Sequence, residues 1–193
     1  MLEWFAYFMG YLGAGLFLKA GDDLLDESGR QDLAWIPLAI SGLLFGVLMA
    51  TSEWDLVLLS SIVLGVMAAG KVNRIQFSIG FIVIFVVLVL MGLPIITVPL
   101  DLAAILIMLF MAAVLDEKGS LWADRTVSPR AYSFFENRFT LKAVVLFLVI
   151  PWPLFLSSAI GLWFFDLGYE ISAYISRRAI SRDPDRQDYN RHP

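Results

Sequence analysis

The chain has 193 residues, of which 59% are hydrophobic and 17% charged, and its mean hydropathy is +0.76. Soluble domains are about 45–50% apolar, so an ordinary soluble domain is excluded, and continuous rather than alternating apolar runs argue against a β-barrel. There is no cysteine, the one histidine is the penultimate residue His192, and the net charge of -4 is confined to connections. Together these exclude disulfides and cysteine nucleophiles and argue against histidine catalysis and haem ligation.

Apolar runs of about 17–25 residues mark membrane helices. The expected fold is therefore all-α: a polytopic integral membrane bundle of six or seven transmembrane helices over residues 1–178, followed by a polar tail over 179–193. The runs place helices at 3–19, 33–51, 55–71, 75–93, 99–115 and 141–165. The first follows Met-Leu-Glu rather than a basic segment and ends in acids, so it reads as a helix and not a signal peptide. Its glycines Gly10, Gly13 and Gly15 suit close helix packing.

The connection after the first helix is acidic. GDDLLDESGR (21–30) holds Asp22, Asp23, Asp26 and Glu27 within six residues, ending in Arg30. Asp22, Asp26 and Arg30 are spaced i, i+4, i+8, one face of a helix. The short connections 51–55 and 93–99 hold acids (Glu53 and Asp55, then Asp101 just beyond) but no Lys or Arg. The segment AGKVNRIQFSIG (69–80) offers Lys71, Asn73, Arg74 and Gln76. AAVLDEKGSLWADR (112–125) brings a second acidic group, Asp116, Glu117 and Asp124, with Arg125.

The positive charges up to Lys142 fall in alternate connections, which the positive-inside rule assigns to the cytoplasm, with the N-terminus outside. Four helices separate the two acidic groups, so both are expected on the cytoplasmic face. Carboxylates facing one another repel. A Mg²⁺ between them resolves this, and Mg²⁺ takes one or two carboxylates plus phosphate oxygens. The ligand so implied is a diphosphate with an apolar tail in the bilayer. Each group has a plainer reading, as solvated loop acids or as a positive-inside anchor.

The stretch from 139 to 176 poses a length problem. The tail arginines Arg177, Arg178, Arg182, Arg186 and Arg191 ask for two crossings. Thirty-eight residues of helix rise about 57 Å, which leaves nothing for a turn between two crossings of ~30 Å. One long helix kinked at Pro151-Trp152-Pro153 is the favoured reading, with a re-entrant hairpin as the alternative. Asp166 and Glu170, at i, i+4, lie near its end beside Trp163, Tyr169 and Tyr174; an interfacial role is favoured over an intramembrane functional one. Trp35, Trp54, Trp122 and Trp152 suit interfacial belts. The tail RDPDRQDYNRHP is expected to be disordered.

The order of these motifs resembles the UbiA-type intramembrane prenyltransferases. Asp22, Asp23, Asp26 and Arg30 resemble that family's first acidic motif, with Asp22 where Asn is usual and no third aspartate near Arg30. Lys71, Arg74, Gln76 and Gly80 resemble its middle motif, with shorter spacing and no proline. Asp116, Glu117 and Gly119 resemble the second acidic motif, with Ser120 in place of an aspartate, and Arg125-Thr126 echoes the Arg-Thr that follows. The resemblance covers roughly residues 10 to 130, and the family has more helices than this chain supplies. It implies a lipid-open helical barrel that binds Mg²⁺ and a prenyl diphosphate and transfers the prenyl group to an acceptor. Asp22, Asp23, Asp26, Asp116, Glu117 and Asp124 would face the metal. Lys71, Arg74 and Arg125 would assist departure of the diphosphate, and Asn73, Gln76 and Arg30 would contact it. No nucleic-acid partner is expected. The rival expectation is a cation transporter or channel subunit, for which six helices is a usual size, particularly in a homo-oligomer. A scaffold without a small-molecule site is the third.

Overall fold

The structure, a computed structural model, describes residues 2–26, 31–68, 70, 75–125, 134–135 and 138–181, and the side chains of all of these but 26, 124, 125 and 179–181. The described residues form seven α-helices and no strand: α1 (Leu2–Asp26), α2 (Trp35–Thr51), α3 (Glu53–Ala68), α4 (Phe77–Met91), α5 (Pro99–Arg125), α6 (Phe139–Val149) and α7 (Leu156–Ser181).

Local chemistry sets the boundaries. Ser52 is extended (φ -149°, ψ 144°) and its Oγ accepts the Trp54 N–H at 3.1 Å, so it caps α3. Gly92, at φ 85°, ends α4 in a conformation that disfavours any side chain. Pro99 opens α5, where its missing N–H is harmless. Both acidic segments continue the preceding helix. α1 runs to Asp26 and α5 to Arg125, about two and three turns beyond the ends of their apolar runs.

The segments Gln31–Thr51, Pro99–Ala123 and Pro153–Arg178 are long and apolar enough to cross a membrane. That is fewer than the six or seven expected. The 16, 15 and 11 residues of α3, α4 and α6 rise about 24, 22 and 16 Å, short of a ~30 Å hydrocarbon core.

The favoured reading of residues 139–176 is corrected. The chain reverses at Pro151–Pro153, through a 3₁₀ turn at Pro153–Phe155, and α6 and α7 form a hairpin. The 11 residues of α6 are too few for a full crossing, and Lys142 in its first turn pairs with Asp166 of α7 at 2.9 Å.

Contacts fix the helix directions. Tyr11 lies against Gly161, Gly15 against Phe165 and Lys19 against Tyr169, so α1 and α7 run parallel. This pair makes the largest helix–helix contact in the molecule. A methyl at Gly15 would overlap the Phe165 carbonyl oxygen, and one at Gly168 the Leu12 carbonyl oxygen. The absence of side chains there lets the backbones touch. α2 runs antiparallel to α1, with Leu48 on Gly10 and Leu38 on Gly21. α3 packs on α5, and α5 runs antiparallel to α6. One apolar core, including Tyr11, Phe45, Leu58, Leu109, Leu141, Phe155 and Phe165, fills the space between. Trp54 belongs to that core, against Phe155, rather than to an interfacial belt.

α4 packs mainly on α2 and buries only Val87. Its other face exposes Ile82, Phe85, Val89 and Leu90. So large an exposed apolar face is exceptional for a protein in water and ordinary against lipid.

Candidate functional site

Polar groups gather at two levels of the bundle. The first is near the start of α1 and α3. Asp55 is 1% exposed. Its Oδ1 accepts from the Tyr7 hydroxyl at 2.7 Å, the Tyr11 hydroxyl at 2.6 Å and the Ser158 hydroxyl at 2.5 Å. One carboxyl group thus ties α3 to α1 and α7. Beside it, Glu53 accepts from the Thr97 N–H at 2.6 Å and the Thr97 hydroxyl at 2.5 Å. Trp152 Nε1 donates to Asp101 at 3.1 Å. Glu53–Asp55 of the expected connection 51–55 are therefore the buried first turn of α3.

The second level, at the C-terminal ends of α1, α5 and α7, is the candidate site. Lys19 pairs with Asp22 at 3.2 Å and Asp23 at 2.8 Å, one helical turn on. Asp23 Oδ2 is buried without a hydrogen-bond partner. Lys19 Nζ also lies 5.3 Å from the centre of the Tyr169 ring, and the Arg138 guanidinium 5.5 Å from it. Arg138 is 3.9 Å from Asp166, whose other oxygen meets Lys142 at 2.9 Å. Asp116 accepts the Thr140 and Leu141 N–H groups at 3.1 and 2.7 Å, capping α6. Ile62, Val66, Ala113, Asp116, Glu117, Arg138 and Leu141 line a small pocket, with room for about one water molecule.

The two acidic segments thus reach the same end of the bundle. They are joined by a row of cations around one phenol, Lys19–Tyr169–Arg138, rather than by direct contact. Among the expected site residues, Asp22 and Asp23 form the α1 group, and Asp116 and Glu117 the α5 group. Asp26, Asp124 and Arg125 continue these helices, but their side chains lie outside the described residues. Arg30, Lys71, Asn73 and Arg74 lie wholly outside them. Gln76 stands at the N-terminus of α4 and makes no cap hydrogen bond. Gly119 leaves room for the Phe135 ring, which a methyl would meet at 2.5 Å. Among the described residues no three Asp, Glu, His or Cys side chains come together to hold a metal ion. Two adjacent carboxylates, Asp22 and Asp23, with one buried oxygen unbonded, still fit the one or two that Mg²⁺ takes from a protein.

Sequence reasoning missed Asp55, Arg138, Lys142 and Tyr169. The available signal for Asp55 was Tyr7 and Tyr11 at i, i+4, a hydroxyl pair on one face of an apolar helix. Arg138 and Lys142 read only as loop charges. No protein-family model, curated protein or solved structure matches the chain.

Proposed function

We propose that the protein is a polytopic membrane protein whose seven helices cross or enter the bilayer, with the charged end cytoplasmic. At that end it binds the diphosphate of a polyprenyl lipid with Mg²⁺ and transfers the prenyl group to an acceptor. The orientation rests on charge. α7 carries Arg177 and Arg178 to the same end as Lys19 and Lys142, which answers the positive-inside rule without an exception. The observation that carries the function is the meeting of both acidic segments and three cations, Lys19, Arg138 and Lys142, at one end of an otherwise apolar bundle. Ionisable groups at membrane depth mark functional sites by default, and a buried ion pair is weak as a stabilising device.

Asp22 and Asp23, with Asp26 one turn on, would hold the metal. When bound, the metal supplies charge neutralisation on the leaving diphosphate. Lys19 orients Asp22 and Asp23, and the cations beyond Tyr169 would face the phosphate oxygens.

The test is binding of geranylgeranyl diphosphate to the purified chain in nanodiscs, with and without Mg²⁺, for the wild type, Asp23→Asn and Asp26→Ala. Mg²⁺-dependent binding that both variants lose supports the reading. Absence of binding in every condition refutes it, and ion flux in liposomes then becomes the experiment for the transporter alternative.

A further inference from the structure

Arg138 differs from the other cations of the charged end. Among the described residues it is the one non-glycine with a positive φ (φ 54°, ψ 40°). That backbone is disfavoured for any residue with a Cβ, and such strain gathers at ligand clamps. The residue sits at the N-cap position of α6, where serine, threonine, asparagine or aspartate is usual, yet it supplies no cap hydrogen bond. Asp116 does that work from α5. Neither the backbone nor the capping of α6 therefore calls for an arginine.

Its side chain is also poorly matched. The guanidinium offers five donors in a planar fork. Its side-chain contacts among the described residues are the ring faces of Phe165 and Tyr169, at 5.7 and 5.5 Å, and the ion pair with Asp166. At 3.9 Å that pair is beyond hydrogen-bond length, and Lys142 holds the same carboxylate at 2.9 Å. Asp116 is engaged with two backbone N–H groups. Asp166 and Asp116 thus have closer partners, while the fork rests on aromatic rings at the wall of the pocket, which Glu117 also lines.

We propose that Arg138 is the anion receptor of the site, its guanidinium fork binding two oxygens of a phosphate or diphosphate group. On binding, the fork exchanges the long contact to Asp166 for two short charge-assisted hydrogen bonds, and Asp166 stays with Lys142. Phe165 and Tyr169 keep the guanidinium plane oriented when the ligand is absent. This inference rests on the reading above and adds a residue outside the segments that carry the family resemblance.

The experiment measures binding of inorganic diphosphate and geranylgeranyl diphosphate to the full chain in nanodiscs, in EDTA and in Mg²⁺. The proteins are wild type, Arg138→Lys, Arg138→Gln and, as a control at the same end, Arg177→Gln. Losing a bidentate charge-assisted pair weakens binding about 10–100-fold. That is the expected loss in Arg138→Gln, with about 10-fold in Arg138→Lys and none in Arg177→Gln. A residue that only neutralises Asp166 would be replaced by lysine without effect. Wild-type affinity in Arg138→Lys therefore overturns the receptor role, and it decides the matter if Arg138→Gln does not fold. If geranylgeranyl diphosphate binds equally to all four proteins, the receptor role falls and the lipid-diphosphate function stands. Arg138-dependent binding of inorganic diphosphate, with no gain from the prenyl tail, keeps the receptor and removes the lipid ligand. If the wild type binds neither compound, both readings fall.

Discussion

Asp55 is the most interior acid at the far level of the bundle, and its removal tests the packing directly. Its Oδ1 takes hydroxyls from Tyr7 and Tyr11 on α1 and Ser158 on α7. Tyr11 and Ser158 are both 0% exposed, so neither hydroxyl can turn to solvent when the acceptor is lost. Interhelical hydrogen bonds in bilayers are worth about 0.6 kcal/mol on average and at most ~1.7 kcal/mol. Three of them put the cost of Asp55→Ala at about 2–5 kcal/mol, toward the upper end because two buried hydroxyls are stranded. Asp55→Asn keeps an acceptor oxygen and should cost less, about 1–2 kcal/mol. Tyr11→Phe should cost about 1–2 kcal/mol, because Asp55 retains two donors. The assay is reversible unfolding in mixed micelles, followed by circular dichroism, with Asp55→Ala and Tyr11→Phe also combined. The pair should lose less than the sum of the singles, since each removes the same bond. Full additivity, or an Asp55→Ala variant within 0.5 kcal/mol of wild type, would mean that these hydroxyls do not hold α1 and α7 to α3.

Two further outcomes are expected. Gly168→Ala places a methyl on the Leu12 carbonyl oxygen and should destabilise the α1–α7 contact by about 1–3 kcal/mol; an unchanged unfolding midpoint would show that these helices separate at little cost. The native chain has no cysteine, so single cysteines report topology without background. Arg177→Cys should react with an impermeant maleimide only from the cytoplasmic side, and Leu93→Cys, in the connection before α5, only from outside. Labelling of both from one side would contradict the proposed orientation.

The helices were legible because apolar runs are a bulk signal, and their starts and stops follow from single residues such as Ser52, Gly92 and Pro99. Their extension was less legible. Charge does not end a helix, so α1 and α5 continue through Asp22–Asp26 and Asp116–Arg125, where polarity alone implied loops. Both acidic segments do lie at one end of the bundle. What hid the site was the assumption that acids facing each other need a metal. Lys19 serves two of them from one turn below, and backbone N–H groups of α6 serve Asp116. Neither partner is visible in spacing without knowing that α6 meets α5.

The hairpin of α6 and α7 shows why the length argument failed, and what its failure means for function. Two full crossings do not fit between residues 139 and 176. The chain meets the constraint by shortening one leg, not by merging the two. An 11-residue helix rises about 16 Å, so one end of it must stop short of the membrane surface or draw that surface inward. The end that carries charge is Arg138–Lys142. Leaving those cations at membrane depth is costly unless acids accompany them, and Asp166 on the long leg and Asp116 on α5 are the acids that do. A short leg, a buried cation pair and an acid on each neighbouring helix are therefore one structural solution. Bound this way, the cations stand below the ends of α1, α5 and α7.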